Sequence, residues 1–381
     1  MLVYFVFSFL TFYNWFFLLI GLIAMYFKRI GIGFKSGNRR YNKFAVIICA
    51  HNEEFVIGNI LSDLKRQSYL SFDIDDVFVF GDNCCDLTFS ICKSMEAHYI
   101  DVKFGGKQRV LNYVFGVYDF SKYDYIVVLD ADNRVNSDYL SKLDTYCYGG
   151  IVQSYLDISN SRLNWVSGSY AVNYRYMGFL QLGKSVLGLN CLLGGTGSAF
   201  PVSCIKLLQF NTLVDDLENT VLLSGLGYKT VYAFDCKVYD EKPKDFHVSF
   251  IQRLRWARGT YQVIHRYGFD FGTMLSNVRS FDLLFYLLAC LLATVYIPLM
   301  VYNLMVYNIF NMFWAYFIIN LFVFCLVFLF DENIKLREIV WIPVSIFFSL
   351  SNMFISIYGL FTFNKRTWIR TKHIGGDANL R

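Results

Sequence analysis

The chain has 381 residues, 55% hydrophobic and 17% charged, with 39 Phe, 28 Tyr and a formal net charge of +5. Ordinary soluble domains carry about 25% charged residues, and disordered chains are poor in apolar ones. The composition therefore excludes disorder and argues against a wholly soluble protein.

Residues 1–27 contain no Asp, Glu, Lys or Arg. As a helix rising 1.5 Å per residue they exceed the ~30 Å hydrocarbon core of a bilayer. The run is too long for a signal peptide and lacks its basic start and cleavage site, so it predicts an uncleaved transmembrane helix. Lys28, Arg29, Lys35, Arg39, Arg40 and Lys43 follow without an intervening acid. The positive-inside rule then places the chain from 28 to about 279 in the cytoplasm.

Residues 283–330 again carry no charge. This length fits two spans turning near Asn303 to Asn311, and a further apolar run covers Ile339 to Phe363. The tail carries Lys365, Arg366, Arg370, Lys372 and Arg381 against Asp377. Three spans after a cytoplasmic domain would leave that tail outside, against the same rule. Its charges favour one apolar segment that lies in the interface instead of crossing. The expected organisation is a transmembrane helix at 1–27, a cytoplasmic domain at 28–248, an amphipathic interfacial region at 249–280, a transmembrane region at 281–363 and a basic tail at 364–381. This is an integral protein of the cell membrane with its soluble domain in the cytoplasm. The basic residues flank apolar runs, where they suit anionic lipid headgroups, and form no stripe for nucleic acid. Ten cysteines show no C-x-x-C pair, and in a reducing compartment neither zinc nor disulfides are expected.

Between the apolar ends, Phe44 to Cys49 reads as a buried parallel strand, ending in Ala50-His51-Asn52-Glu53-Glu54. Ile57, Ile60, Leu61 and Leu64 then recur at helical spacing. Val77 to Phe80 is a second strand, ending in Gly81-Asp82-Asn83, with a helix following to about Ala97. Tyr125 to Leu129 is a third, ending in Asp130-Ala131-Asp132, with a helix from about Ser137 to Tyr146. Three strands thus deliver polar residues at their carboxyl ends, where ligands bind in open α/β sheets.

Asp130 and Asp132 at a strand end suit a hard divalent cation shared with phosphates. Asp82 suits a nucleobase or ribose. Gly194-Gly195-Thr196-Gly197-Ser198 lets a ligand approach the backbone but lacks the G-K-[ST] ending of a Walker loop. One of Asp215 and Asp216, at a helix start, could be a general base. Gln252-Arg253-Leu254-Arg255-Trp256 offers arginines for phosphate and Trp for a sugar face. Singly, each has a plainer reading as a turn residue, a helix cap or an interfacial anchor. His51 and Lys107 read singly as surface polar residues.

Taken in order, these motifs resemble those of the family-two inverting glycosyltransferases of GT-A fold. The likeness is closest to the membrane-embedded branch of cellulose, chitin, hyaluronan and poly-N-acetylglucosamine synthases. Val46 to Glu54 is similar to the family's first strand and nucleotide-binding turn, which implies substrate contacts at Ala50, Asn52 and Glu53. Asp82 falls where a uridine-contacting Asp lies. Gly106-Lys107 with Leu111-Asn112 resembles a G-K…A-L-N stretch. Asp130-Ala131-Asp132 resembles the D-x-D site for metal and diphosphate, and Gly194 to Gly197 the acceptor-side loop, with Gly195 and Thr196. Val214-Asp215-Asp216 stands where the family has T-E-D, which implies Asp216 as catalytic base. Gln252, Arg253, Arg255 and Trp256 fit Q-x-x-R-W, associated with diphosphate and acceptor contacts. Trp368 to His373 is similar to a W-x-x-T stretch after the last span of some relatives.

The resemblance implies a UDP-sugar donor, Mg²⁺ or Mn²⁺, and inverting transfer to the end of a growing β-linked polysaccharide, with a homo-oligomer as one way to widen a narrow channel. The alternative is non-processive transfer to a membrane lipid, as in ceramide glucosyltransferase. A pseudo-enzyme scaffold would have lost a metal or base carboxylate, and all three are retained here.

Overall fold

The computed structural model describes residues 2–29, 40–268, 310–330 and 336–365, with a few positions between 282 and 291; for 2–11, 310–316 and 336–337 it describes backbone only. The predicted turn near Asn303 to Asn311, most of the junction after 268 and the tail motif at Trp368 fall largely outside the described residues. Among the described residues the chain forms two compact units. One takes 40–160 and 190–241, and the other takes 2–29, 161–189 and the described residues between 242 and 365.

The first unit is a three-layer α/β fold on a mixed sheet of order β3-β2-β1-β4-β7-β6-β8-β5. Its strands are β1 (Phe44–Ala50), β2 (Val77–Asp82), β3 (His98–Val102), β4 (Tyr125–Asp130), β5 (Arg134–Val135), β6 (Ile151–Ile158), β7 (Ser198–Pro201) and β8 (Thr230–Asp240). Strands β1 to β4 run parallel, with Ala50 beside Gly81 and Cys49 beside Asp130. β7 pairs antiparallel with β4 and with β6. The helices α2 (Ile57–Lys65), α3 (Thr88–Ser94), α4 (Lys107–Val117), α5 (Tyr139–Asp144) and α7 (Asp215–Gly225) complete the layers. The α/β reading of this part holds; α6 (Trp165–Val186) is in the other unit.

Apolar runs drive this arrangement. Ile47, Phe80, Leu111, Val114, Ile126, Val128, Phe200 and Leu223 form one buried cluster, and each such side chain contributes about 1.5–3 kcal/mol on burial. Asp144 closes the edge where the chain enters β1. Its carboxylate accepts the backbone N–H groups of Arg40 (2.8 Å), Tyr41 (2.9 Å) and Asn42 (3.1 Å) and the Asn42 side-chain amide (2.6 Å). Tyr41 thereby holds a left-handed backbone at φ 60°. Asp144→Ala strands these donors and should destabilise the protein by about 3 kcal/mol, read as a lowered midpoint in urea unfolding.

The second unit is helical: α1 (Leu2–Arg29), α6 (Trp165–Val186), α8 (Phe246–Tyr267), α9 (Phe310–Phe330), a 3-10 turn (Leu336–Trp341) and α10 (Ile342–Phe361). Asn164 caps α6 by accepting the N–H groups of Val166 and Ser167, both at 3.1 Å. Helices α1 and α6 cross at two glycines. A Cβ on Gly21 would stand 2.1 Å from the Phe179 carbonyl oxygen, and one on Gly183 would stand 2.0 Å from that of Phe17. Only hydrogen at both positions lets the backbones meet.

Beside the crossing, Phe17, Leu18, Leu22 and Met25 are buried, whereas Phe12, Trp15, Phe16, Leu19, Ile23, Tyr26 and Phe27 are exposed. α9 and α10 likewise expose Ile318, Phe322, Leu329, Phe347, Phe354 and Phe361. Two ion pairs are buried in this unit, Arg175–Glu338 (2.5 Å) and Lys184–Asp282 (2.9 Å). Among the described residues, one helix, Glu338–Phe361, is long and apolar enough to cross a membrane.

Candidate active site

The carboxyl ends of β1, β2 and β4 converge where the strand order reverses, with β2 on one side of β1 and β4 on the other. Such a reversal opens a crevice for ligands. The β1 turn is braced from below. The N–H of Glu53 donates to Thr88 Oγ1 (2.8 Å), and Asn52, at φ 55°, accepts the N–H of Cys85 on Oδ1 (2.7 Å). Ala50 is buried at the strand end, and the His51 ring contacts the Asp82 carbonyl.

Asp82 turns its carboxylate into the loop before α4. Oδ1 accepts the N–H groups of Phe104 (2.8 Å) and Gly105 (3.0 Å), and Oδ2 accepts that of Gly106 (2.6 Å). Burial alone would raise its pKa, but these three donors outweigh it and hold the group below the usual carboxylate value. A depressed pKa stabilises the fold fully above the unfolded value, about 3.9, and that stability is lost as pH falls through the folded value. Asp82→Asn should therefore cost roughly 1–2 kcal/mol at neutral pH. The gap to the parent protein should narrow below about pH 4 in paired thermal melts.

Lys107, the first residue of α4, places its ammonium on the Asp130 carboxylate and on the Gly195 carbonyl oxygen (2.8 Å). Burial would lower its pKa; the charges of Asp130 and Asp215 override this and raise it above the ordinary lysine value. Beneath lies Cys49, whose thiol burial pushes up to about 12.

Asp130 ends β4, and its N–H is shared between Asn133 Oδ1 and Thr196 Oγ1, each at 3.0 Å. Thr196 Oγ1 in turn donates to Asn133 Oδ1 (2.5 Å), which ties the glycine loop to the D-x-D turn. Asn133 Nδ2 contacts Asp132 Oδ1 at 3.4 Å. Buried Gln153 on β6 secures the loop from its other side, accepting from the Gly194 N–H (2.9 Å) and donating to the Thr196 carbonyl (3.0 Å).

Asp216 is the second residue of α7. Its Oδ1 accepts the Leu217 N–H at 2.8 Å. A Cβ on Gly195, at φ +75°, would lie 3.3 Å from Asp216 Oδ2. Glycine there satisfies the backbone and lets the loop approach the carboxylate closely. The approach to α7 is held by fully buried Glu218, which accepts the N–H groups of Asn211 (2.8 Å) and Thr212 (2.9 Å).

Asp82, Lys107, Asp130, Asp132, Gly195, Thr196 and Asp216, with the β1 turn, thus share one sheet edge of the first unit. The Q-x-x-R-W residues lie on α8 of the second unit. There Gln252 Oε1 accepts from Tyr170 Oη (3.2 Å), and Tyr170 meets the Trp256 ring edge-on at 6.2 Å. Lys242 lies 5.4 Å over that indole. Arg253 is committed to α10: it donates to Ser351 Oγ (2.7 Å) and Asn352 Oδ1 (3.0 Å) and stacks on Phe348 at 4.0 Å. Arg255 is half-buried on the same helix. Asn133 and Gln153 give no signal in the sequence: Asn133 follows Asp132 as an ordinary turn residue, and Gln153 sits within the strand β6.

This combination, a mixed sheet with a carboxylate pair at its parallel edge, defines a GT-A-like α/β fold. Across 96% of this chain and 100% of the other, it is similar to the mannosyltransferase PcManGT of Pyrobaculum calidifontis, solved with GDP-Man and Mn²⁺, with TM-score 0.58 at 14% identity. The chain belongs to the glycosyltransferase-like family 2, whose pattern matches residues 42–259.

Among curated relatives it is 27% identical over 236 residues to the beta-monoglucosyldiacylglycerol synthase of Synechocystis sp., covering 58% of this chain and 48% of that one. It is 26% identical over 281 residues to the probable glycosyltransferase YdaM of Bacillus subtilis, covering 69% and 66%. Against a UDP-forming cellulose synthase of Dictyostelium discoideum it is 25% identical over 165 residues, covering 41% and 15%. The chain spans about half to two thirds of the length of the first two.

Proposed function

We propose that this glycosyltransferase-family protein is a membrane-bound, inverting transferase that moves one sugar from a UDP-sugar to a hydroxyl of a lipid acceptor. The observation that carries the chemistry is the cluster at the sheet edge, where a D-x-D pair, a lysine and the carboxylate of Asp216 surround one glycine loop.

The residues fit a divalent ion of the Mg²⁺ or Mn²⁺ kind. Asp130 and Asp132 offer hard oxygens at and just beyond the end of β4. Such ions use one or two carboxylates and complete their shell with phosphates and water. When bound, the ion would neutralise the leaving diphosphate. Asp130 and Asp132 would hold it, Lys107 adds a positive charge, and Asp216 takes the proton from the attacking acceptor hydroxyl. The resemblance assigns Ala50, Asn52, Glu53 and Asp82 to the nucleotide side and Gly195 and Thr196 to the acceptor side; the contacts of Asp82 and Thr196 show them shaping the loops there. Gln252, Arg255 and Trp256 keep the diphosphate and acceptor roles the resemblance implies; the contacts of Arg253 favour a role in holding α8 to α10. The mannosyltransferase of similar fold, with its nucleotide sugar and Mn²⁺, supports the donor and metal classes.

Membrane attachment is supported by the apolar faces exposed on α1, α9 and α10 and by the spanning length of Glu338–Phe361. The lipid acceptor is supported by the longer alignment to the glucosyldiacylglycerol synthase than to cellulose synthase. The second reading, extension of a β-linked polysaccharide, is favoured by the cellulose synthase relative. Protein in detergent with Mn²⁺ and radiolabelled UDP-glucose, UDP-N-acetylglucosamine or GDP-mannose separates them. Label entering organic solvent as one sugar per lipid supports the proposal. Slow-migrating, glycosidase-sensitive material would replace it with polymer synthesis, and turnover from the GDP-sugar alone would overturn the uridine assignment.

A further inference from the structure

The ammonium of Lys107 lies on Asp130, one of the two carboxylates proposed to hold the divalent ion. Its second contact, to the Gly195 carbonyl, spans to the loop that faces Asp216. A cation supplied by the chain itself therefore already occupies one side of the metal site. We propose that Lys107 is the resident counter-cation of that site: it competes with the divalent ion for Asp130, and a nucleoside diphosphate relieves the competition by offering the ammonium a new anionic partner. This rests on the metal reading above.

The physical argument is one of charge. Two cations on a single carboxylate repel each other, so the ion alone must displace the ammonium from Asp130. Lysine is a point charge on a flexible four-carbon stem, so it can leave Asp130 while α4 stays in place. A diphosphate brings enough negative charge for both cations at once. Metal and nucleotide must then bind with positive coupling, and by linkage each raises the affinity of the other by the same factor. A lysine that served only to contact nucleotide would leave the affinity for the metal alone unaffected.

The test is equilibrium dialysis of the full chain in detergent against Mn²⁺, with and without saturating UDP. Dialysis equalises free Mn²⁺ and its UDP complex across the membrane, so the excess is protein-bound. The parent protein should bind Mn²⁺ weakly alone and about tenfold or more tightly with UDP. Lys107→Met should bind Mn²⁺ alone about tenfold more tightly than the parent, with the UDP gain reduced to about threefold or less. Lys107→Arg, which keeps the charge, should retain the parent pattern. Unchanged or weaker Mn²⁺ binding by a Lys107→Met protein that melts like the parent overturns the inference. Asp130→Asn separates the two levels: if it leaves Mn²⁺ binding intact, the metal reading itself fails. If it abolishes binding while Lys107→Met changes nothing, the resident-cation inference alone fails.

Discussion

Asp216→Asn should lower kcat by about three orders of magnitude while UDP and Mn²⁺ bind as before. Asparagine is nearly isosteric with aspartate and keeps an oxygen for the Leu217 N–H, now 2.8 Å from Oδ1. That contact at the start of α7 therefore survives, while the proposed proton acceptor is lost. The other oxygen, toward Gly195, is the one that the proposed mechanism assigns to the acceptor hydroxyl. Single-turnover rates with labelled donor, set beside UDP binding by calorimetry, check the prediction. Near-normal turnover would move the base to another group, and Asp215→Asn is the natural comparison. Asp215 already lends its charge to Lys107 and should affect donor binding more than the proton transfer.

Gly183→Leu should be the most damaging single change outside the sheet. The obstacle is the Cβ itself, 2.0 Å from the Phe17 carbonyl oxygen, so no rotamer avoids it. The helix backbones have to part, and the packing of Phe17 and Leu18 beside Phe179 and Leu180 loosens with them. Overpacking of a tight core costs about 1–3 kcal/mol and sometimes more; with backbone on both sides the upper end, about 3 kcal/mol or above, is expected. Even Gly183→Ala carries the clash. Thermal unfolding of the purified variants in detergent measures it, and a midpoint unchanged in Gly183→Leu would show that the crossing does not hold α1.

Much of the parallel half of the sheet was legible because burial leaves a plain signature. Phe44–Ala50, Val77–Asp82 and Tyr125–Asp130 are nearly continuous apolar runs, and their polar endings mark the ligand edge. β3 escaped because it is an edge strand in which only Val102 is buried, so His98, Tyr99 and Asp101 carry no apolar strand signature. The other half escaped for a different reason: Gln153 and Ser154 are buried polar residues in β6, satisfied by Gly194, Thr196 and Tyr139, which are distant in sequence. Asn133 belongs with them, since its value comes from Thr196, brought to it by the pairing of β4 with β7. Nor did α6 announce its unit. Its buried Arg175 and Lys184 are paired with Glu338 and Asp282, which stand 98 residues or more further along the chain.

The order of synthesis is constrained by the passage of the chain out of the sheet unit at 161 and back at 190. β6 and β7 are neighbours in the sheet, but the ribosome makes all of α6 between them. Gly21 must likewise wait roughly 160 residues for Gly183, about 10 to 30 s at common elongation rates of roughly 5–20 residues per second. During that interval the nascent chain carries an unpaired α1 and a half-built sheet together, so a chaperone or insertion factor acting there would have to shield both at once.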